Sequence, residues 1–173
     1  MRIKIKDQIT VNAPASKVWR VIAHEFDNIG QWSSEIAESK AIMDRPVPEG
    51  AKVGGRVCLS PGFGADATEA FTYYDEQDMR FGYEAIGELP WPWLLKRAEN
   101  NWRVHSLNPN KSVAEFRAEV EVKLFPGLLL MPLMPFIKKV WGSRTLEELK
   151  YYVEHDQPHP RKLKAQQKQI KMV

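Results

Sequence analysis

A chain of 173 residues, 43% hydrophobic and 27% charged, has the size and balance of one globular domain, which excludes a disordered, collagen-like or low-complexity polypeptide. The one cysteine, Cys58, rules out an intrachain disulfide and fits a reducing compartment. The net charge of +3 is uneven: Arg161, Lys162, Lys164, Lys168 and Lys171 crowd the last residues with no acid among them, and without these five 20 basic and 22 acidic residues remain, so the basic total does not describe the body.

In chain order, Ile3, Ile5, Ile9 and Val11 alternate with polar residues and predict a first strand over residues 2–12. Asn12-Ala13-Pro14 stops it, with Asn12 or Ala13 as cap and Pro14 in the first turn of a short helix near 15–24. A second helical turn is expected over Phe26–Trp32. Ile36–Met43 and Arg56–Ser60 read as strands separated by the proline-rich Arg45–Gly50 turn. In the strand Ala67–Asp75, the alternation places Ala67, Glu69, Phe71 and Tyr73 on one face and Thr68, Ala70, Thr72 and Tyr74 on the other. Asp75–Asp78 turns the chain into a partner strand with Met79, Phe81, Tyr83 and Ala85 on one face. The stretch 87–95, with Pro90-Trp91-Pro92-Trp93, reads as an apolar loop. Strands follow at 101–107 and 113–124, the latter with the clearest period of two, Ala114 to Leu124 against Glu115 to Lys123.

Pro126-Gly127 ends the sheet. A long helix is expected to present Ile137, Val140, Trp141, Leu146, Leu149 and Val153 along one stripe, its start bent by Pro132 and Pro135. Leu124–Ile137 is too short and too interrupted by its three prolines to span a bilayer, and the alternating N-terminus lacks the apolar core of a signal peptide. The expected location is therefore cytoplasmic. The predicted layout is α+β, with one domain over 1–156 and a basic tail over 157–173 expected to be disordered or at most a fraying helix.

The opening phrase Val11-Asn12-Ala13-Pro14-Ala15-Ser16-Lys17-Val18-Trp19, Trp32 after the short helices, Gly54-Gly55-Arg56-Val57 opening a strand, the hairpin from Glu69 to Tyr83 and Leu146-Glu147-Glu148-Leu149-Lys150 in the last helix together resemble the SRPBCC superfamily, which includes START, Bet v 1-like and polyketide cyclase/dehydrase-like proteins. The resemblance spans roughly residues 2–154. It implies a helix-grip fold: a seven-stranded antiparallel sheet wrapped around a long C-terminal helix, two short helices after the first strand, and an apolar cavity between sheet and helix. It implies small hydrophobic ligands such as lipids or polyketides and supplies no shared catalytic motif.

No phosphate loop, HExxH, CxxC or GxSxG motif is present, so neither a cofactor nor a metal is called for. Glu69, Tyr73 and Tyr83 are the candidate acid/base residues. Glu69 on an aromatic inner face would be a desolvated acid of raised pKa; on the alternative reading it is solvated or pairs with Arg56. His105 is expected to face outward if Trp102 and Val104 face in. The expected ligand-binding residues are Phe71, Tyr73, Phe81 and Tyr83 on the central hairpin, Trp102 and Phe116 on the later strands, Trp91 and Trp93 in the apolar loop, and Met134, Ile137 and Trp141 at the helix. Three functions compete: a carrier or sensor of a hydrophobic ligand, a cyclase or dehydratase-like enzyme, and an interaction module using the apolar 128–135 segment against a membrane or protein. The tail lacks interleaved aromatics, which argues against nucleic acid and leaves weak contact with anionic surfaces.

Overall fold

The computed structural model describes residues 1–60, 66–86, 93–123, 125, 132 and 142–170, with the side chain of Ile170 excepted. Seven strands, β1 (Arg2–Val11), β2 (Glu38–Ile42), β3 (Gly55–Leu59), β4 (Ala67–Asp75), β5 (Arg80–Ile86), β6 (Leu95–Asn108) and β7 (Lys111–Val122), form one antiparallel sheet in the order β1-β7-β6-β5-β4-β3-β2. From β2 to β7 this is a meander. β1 joins β7 along its whole length, from Arg2 opposite Glu121 to Val11 opposite Ser112.

Helix α1 (Ala15–Trp19) runs into a π turn over Arg20–His24, followed by a 3₁₀ segment over Phe26–Gln31. Pro14 itself is the cap, one residue later than expected, because its carbonyl accepts from the Lys17 amide at 3.0 Å. The Asn12 amide is free to donate to Glu154 across the molecule. Helix α2 (Arg144–His155) turns Leu146, Leu149 and Val153 fully inward, as the expected stripe requires. Each such burial contributes about 1.5–3 kcal/mol. Ser143 bonds to Asp7, Lys150 to the Thr10 carbonyl, and Glu154 to the Asn12 amide, so α2 runs along β1. The inner faces of the strands, the α1 to 3₁₀ stretch and α2 share one core.

Two expectations fail for physical reasons. β6 starts at Leu95, not near 101, and pairs with β7 from Leu95–Val122 to Asn108–Lys111. The polar run Lys96–Asn100 looks loop-like alone, but β7 supplies a ladder for its backbone. The expected disordered tail is, over the described residues, helix α3 (Pro160–Ile170), docked on the body. Arg161 bonds to Glu147 and Glu148 of α2, and Lys162, 1% exposed, donates to the carbonyls of Ile36 and Ala37. A buried lysine needs such acceptors; a sequence rich in cations does not reveal that they exist.

Candidate functional site

The concave face gathers its aromatic residues around the central hairpin. Phe81, 1% exposed, lies 5.6 Å ring to ring from Trp19, 5.7 Å from Phe26, 5.5 Å from Phe71 and 6.1 Å from Tyr83. Phe26 lies 4.3 Å from Phe71 and 5.2 Å from Tyr83. Further along, Trp102 packs on Phe116 at 4.9 Å, opposite it in the β6–β7 register. Apart from the stacked Phe81–Tyr83 pair, these contacts have the tilted and edge-on geometries that aromatic rings favour. Phe71, Phe81, Tyr83, Trp102 and Phe116 therefore stand on the inner face, as expected. His105 stays at the outer side beside Glu115 at 3.7 Å.

Tyr73 does not join them. The β4–β5 register slips between Phe71 and Tyr73, and the bulge switches the parity of β4. Tyr74 takes the inward place, 5.5 Å from Trp19 and 5.4 Å from Phe71. Tyr73 turns outward, 42% exposed, and donates its hydroxyl to Asn101 Oδ1 at 2.9 Å. Gly82 makes room for this: a methyl there would run into the Tyr73 ring. Tyr73 is thereby removed as an inner acid or ligand contact. Trp93 also faces solvent, because its backbone neighbours Leu94 and Leu95 take the buried positions at the strand start. Trp91, Met134, Ile137, Trp141 and the 128–135 segment, Pro132 excepted, lie outside the described residues.

Glu69 does face inward, but not as a free acid. Arg56, opposite it in the β3–β4 register, reaches Glu69 Oε2 with Nε at 2.6 Å and donates Nη1 to the Phe26 carbonyl at 2.8 Å. The guanidinium carbon sits 3.9 Å over the Phe26 ring and 5.0 Å from that of Tyr83. Burial alone would favour neutral arginine; the Glu69 carboxylate outweighs it and raises the Arg56 pKa. Cys58, buried beside Glu69, has its thiol pushed up to about 12 mainly by desolvation, which makes it an inert packed thiol. Burial likewise raises the Tyr83 phenol, with Glu69 adding to the shift, so its hydroxyl stays a neutral donor.

Phe26 and Tyr74 join this face although neither was among the expected site residues. Trp32 is 3% exposed, and its Nε1 has no hydrogen-bond partner among the described residues. A second buried carboxylate was likewise unexpected: Glu148, 1% exposed, accepts the Ser34 amide and hydroxyl at 2.8 and 2.6 Å and Arg161 Nε at 3.0 Å. Glu35 beside it has its pKa raised to about 7 by desolvation and by the Glu148 charge, against the pull of Arg144. Among the described residues no group of three or more His, Cys, Asp or Glu side chains is placed to hold a metal, and no helix is long and apolar enough to cross a membrane.

An antiparallel sheet of seven strands closed over a C-terminal helix, entered through Val11–Trp19, is a helix-grip fold. The sequence pattern of the family described as polyketide cyclase / dehydrase and lipid transport matches residues 2–154. The chain belongs to that family. Among solved structures, this polyketide cyclase / dehydrase and lipid transport fold is shared with a START superfamily protein from Mycobacterium smegmatis, at a TM-score of 0.63 and 20% identity over 88% of this chain and 95% of that one. It is shared with norcoclaurine synthase from Thalictrum flavum in complex with dopamine and hydroxybenzaldehyde, at 0.64 and 17% over 90% and 88%. It is also shared with the di-domain ARO/CYC BexL, at 0.68 and 14% over 88% of this chain and 46% of that one. No protein of curated function matches in sequence. The family match ends at residue 154, before α3.

Proposed function

We propose that the protein binds a small, largely apolar molecule against the concave face and carries, senses or sequesters it without transforming it. The observation that carries this reading is the state of Glu69. The one carboxylate that the described residues place on the inner aromatic face is held by Arg56 at 2.6 Å, and Arg56 is itself clasped by Phe26 and Tyr83. A carboxylate held in this way is the counter-charge of a buried guanidinium, a structural pairing and not a group left open toward a substrate. Phe81, Tyr83, Trp102 and Phe116 make this face apolar from within the core, and the half-buried Phe71 packs against them; removing a few hundred Å² of ligand surface from water would contribute several kcal/mol at about 25 cal/mol per Å², before association costs. The family resemblance to lipid and polyketide binders points the same way.

Native mass spectrometry of gently purified protein tests the reading. Retained mass that organic extraction releases is the expected result. A bare polypeptide mass that also leaves an apolar dye unbound would overturn it. Tyr83→Phe keeps the ring and removes the hydroxyl, so a carrier retains its ligand; loss of a chemical turnover in that variant, with the ligand still bound, would favour the cyclase reading instead.

A further inference from the structure

Building on the ligand reading above, we infer that the bound molecule presents a neutral acceptor oxygen to Trp32 Nε1. The chemical class is then an apolar molecule carrying a ketone, ester or ether group. Trp32 is 3% exposed and lies in the core shared by the sheet, the helical stretch and α2. Among the described residues its Nε1 is the one fully buried side-chain nitrogen or oxygen without a hydrogen-bond partner. A buried indole N–H ordinarily finds a partner, because leaving it unmatched forfeits its bond to water. Trp19 shows the ordinary case in the same chain: it is 1% exposed and donates Nε1 to Glu76 Oε2 at 2.9 Å.

The surroundings of Trp32 hold the donor in place without answering it. The Trp32 and Ser33 amides donate to the Ile29 carbonyl at 3.2 and 3.0 Å. The Ser34 amide and hydroxyl donate to Glu148 of α2. The chain is therefore tied on both sides of the indole. The buried carboxylates are engaged elsewhere, Glu148 by Ser34 and Arg161 and Glu69 by Arg56. A buried water makes about three hydrogen bonds, and the described residues offer no second unmatched buried side-chain group to help hold one. An indole N–H donates and cannot accept, which selects an acceptor oxygen. A carboxylate in that place would need a counter-charge. The buried cations are already engaged, Arg56 by Glu69 and Lys162 by the carbonyls of Ile36 and Ala37, which selects a neutral oxygen.

Fluorene and 9-fluorenone have nearly one shape and differ by a carbonyl oxygen, so their affinities for the full chain, read by displacement of an apolar dye, test this. W32F is expected to weaken fluorenone about tenfold and to change fluorene by less than about twofold. W93F makes the same chemical change at an exposed indole and is expected to alter neither. The carbonyl band of fluorenone bound to the native protein is expected at a lower infrared frequency than in hexane, and to move back toward the hexane value in W32F. Equal weakening of both compounds by W32F, or weakening of neither, overturns the inference. So does a carbonyl band at the hexane frequency in the native complex, a reading that decides the matter even where circular dichroism shows W32F unfolded. Binding of neither compound while the dye still binds overturns this inference alone, and absence of dye binding as well is the failure of the ligand reading.

Discussion

At one end of the sheet the β4–β5 turn is tied to the helical stretch by a single side chain. Glu76 accepts Trp19 Nε1 at 2.9 Å, the Tyr74 hydroxyl at 2.8 Å and His24 Nε2 at 2.9 Å, and α1 packs over the strand ends beside it. At the other end, beyond Leu94 and Val122, Trp93 and Phe125 meet solvent. The first end resembles a sealed core, with aromatic rings interlocked and their polar tips satisfied; the second keeps aromatic surface that nothing in the described body covers. The difference assigns stability to one end and encounter to the other.

Substitutions of buried, partnered groups like those at the sealed end should therefore cost far more than substitutions at the exposed edge. The largest effect is expected for Arg56→Ala. With Arg56 and Glu69 side chains 5% and 15% exposed, breaking the pair strands a carboxylate and should cost about 3–5 kcal/mol in urea denaturation. The Arg56→Met, Glu69→Leu double substitution removes both charges and should recover most of that loss. A double variant as unstable as the single one would show that the pair contributes packing and not charge balance.

Arg161→Ala should come next. It leaves the buried Glu148 with only Ser34 as partner and undocks α3, for a loss of about 1–3 kcal/mol. Exchange protection along 160–170, measured by hydrogen–deuterium exchange, should fall with it. Unchanged protection there would mean that Lys162 and its two carbonyl acceptors suffice. Glu76→Ala orphans the Trp19 indole at the sealed end and should cost about 1–2 kcal/mol.

Glu35 makes the packing of α2 on the segment before β2 sensitive to pH. Its folded pKa, raised to about 7 from 4.5 by desolvation and by Glu148, means that the folded state holds a proton which the unfolded state has released. The stabilisation is complete below about pH 4.5 and is lost as the pH rises through 7. Stability of the native protein relative to Glu35→Gln should fall across that window. Parallel pH profiles of the two proteins would count against this placement of Glu35. The smallest effect is expected for Trp93→Ser, within about 0.5 kcal/mol of the native stability. A larger loss would show that this edge is part of the sealed core after all.

Much of the frame was legible in the chain itself. Alternation in Ala114–Leu124 and in Ile3–Val11 marks β7 and β1, because one wet and one buried face impose a period of two. Leu146, Leu149 and Val153 mark the inner stripe of α2 by the period of a helix. The inner placement of Phe81, Tyr83, Trp102 and Phe116 followed from the same reasoning. What depended on partners was not legible. A bulge between Phe71 and Tyr73 exchanged Tyr73 for Tyr74, because parity holds only while the register does. β6 gained its polar first half from the ladder of β7. The tail became a docked helix because Glu148, Ile36 and Ala37, more than a hundred residues away from Lys162 in the latter two cases, supply its acceptors. For Glu69 the sequence left two readings, a desolvated acid or a partner of Arg56, and the antiparallel β3–β4 register joined them on the inner face as a partnered buried pair. By itself, then, the sequence determined the antiparallel frame and the faces of its regular elements, since these arise from local periodicity, and it carried the family in the phrases that resemble other members. Only the tertiary structure decided the state of the site residues, because charge state, register and docking are properties of pairs that the chain brings together from afar.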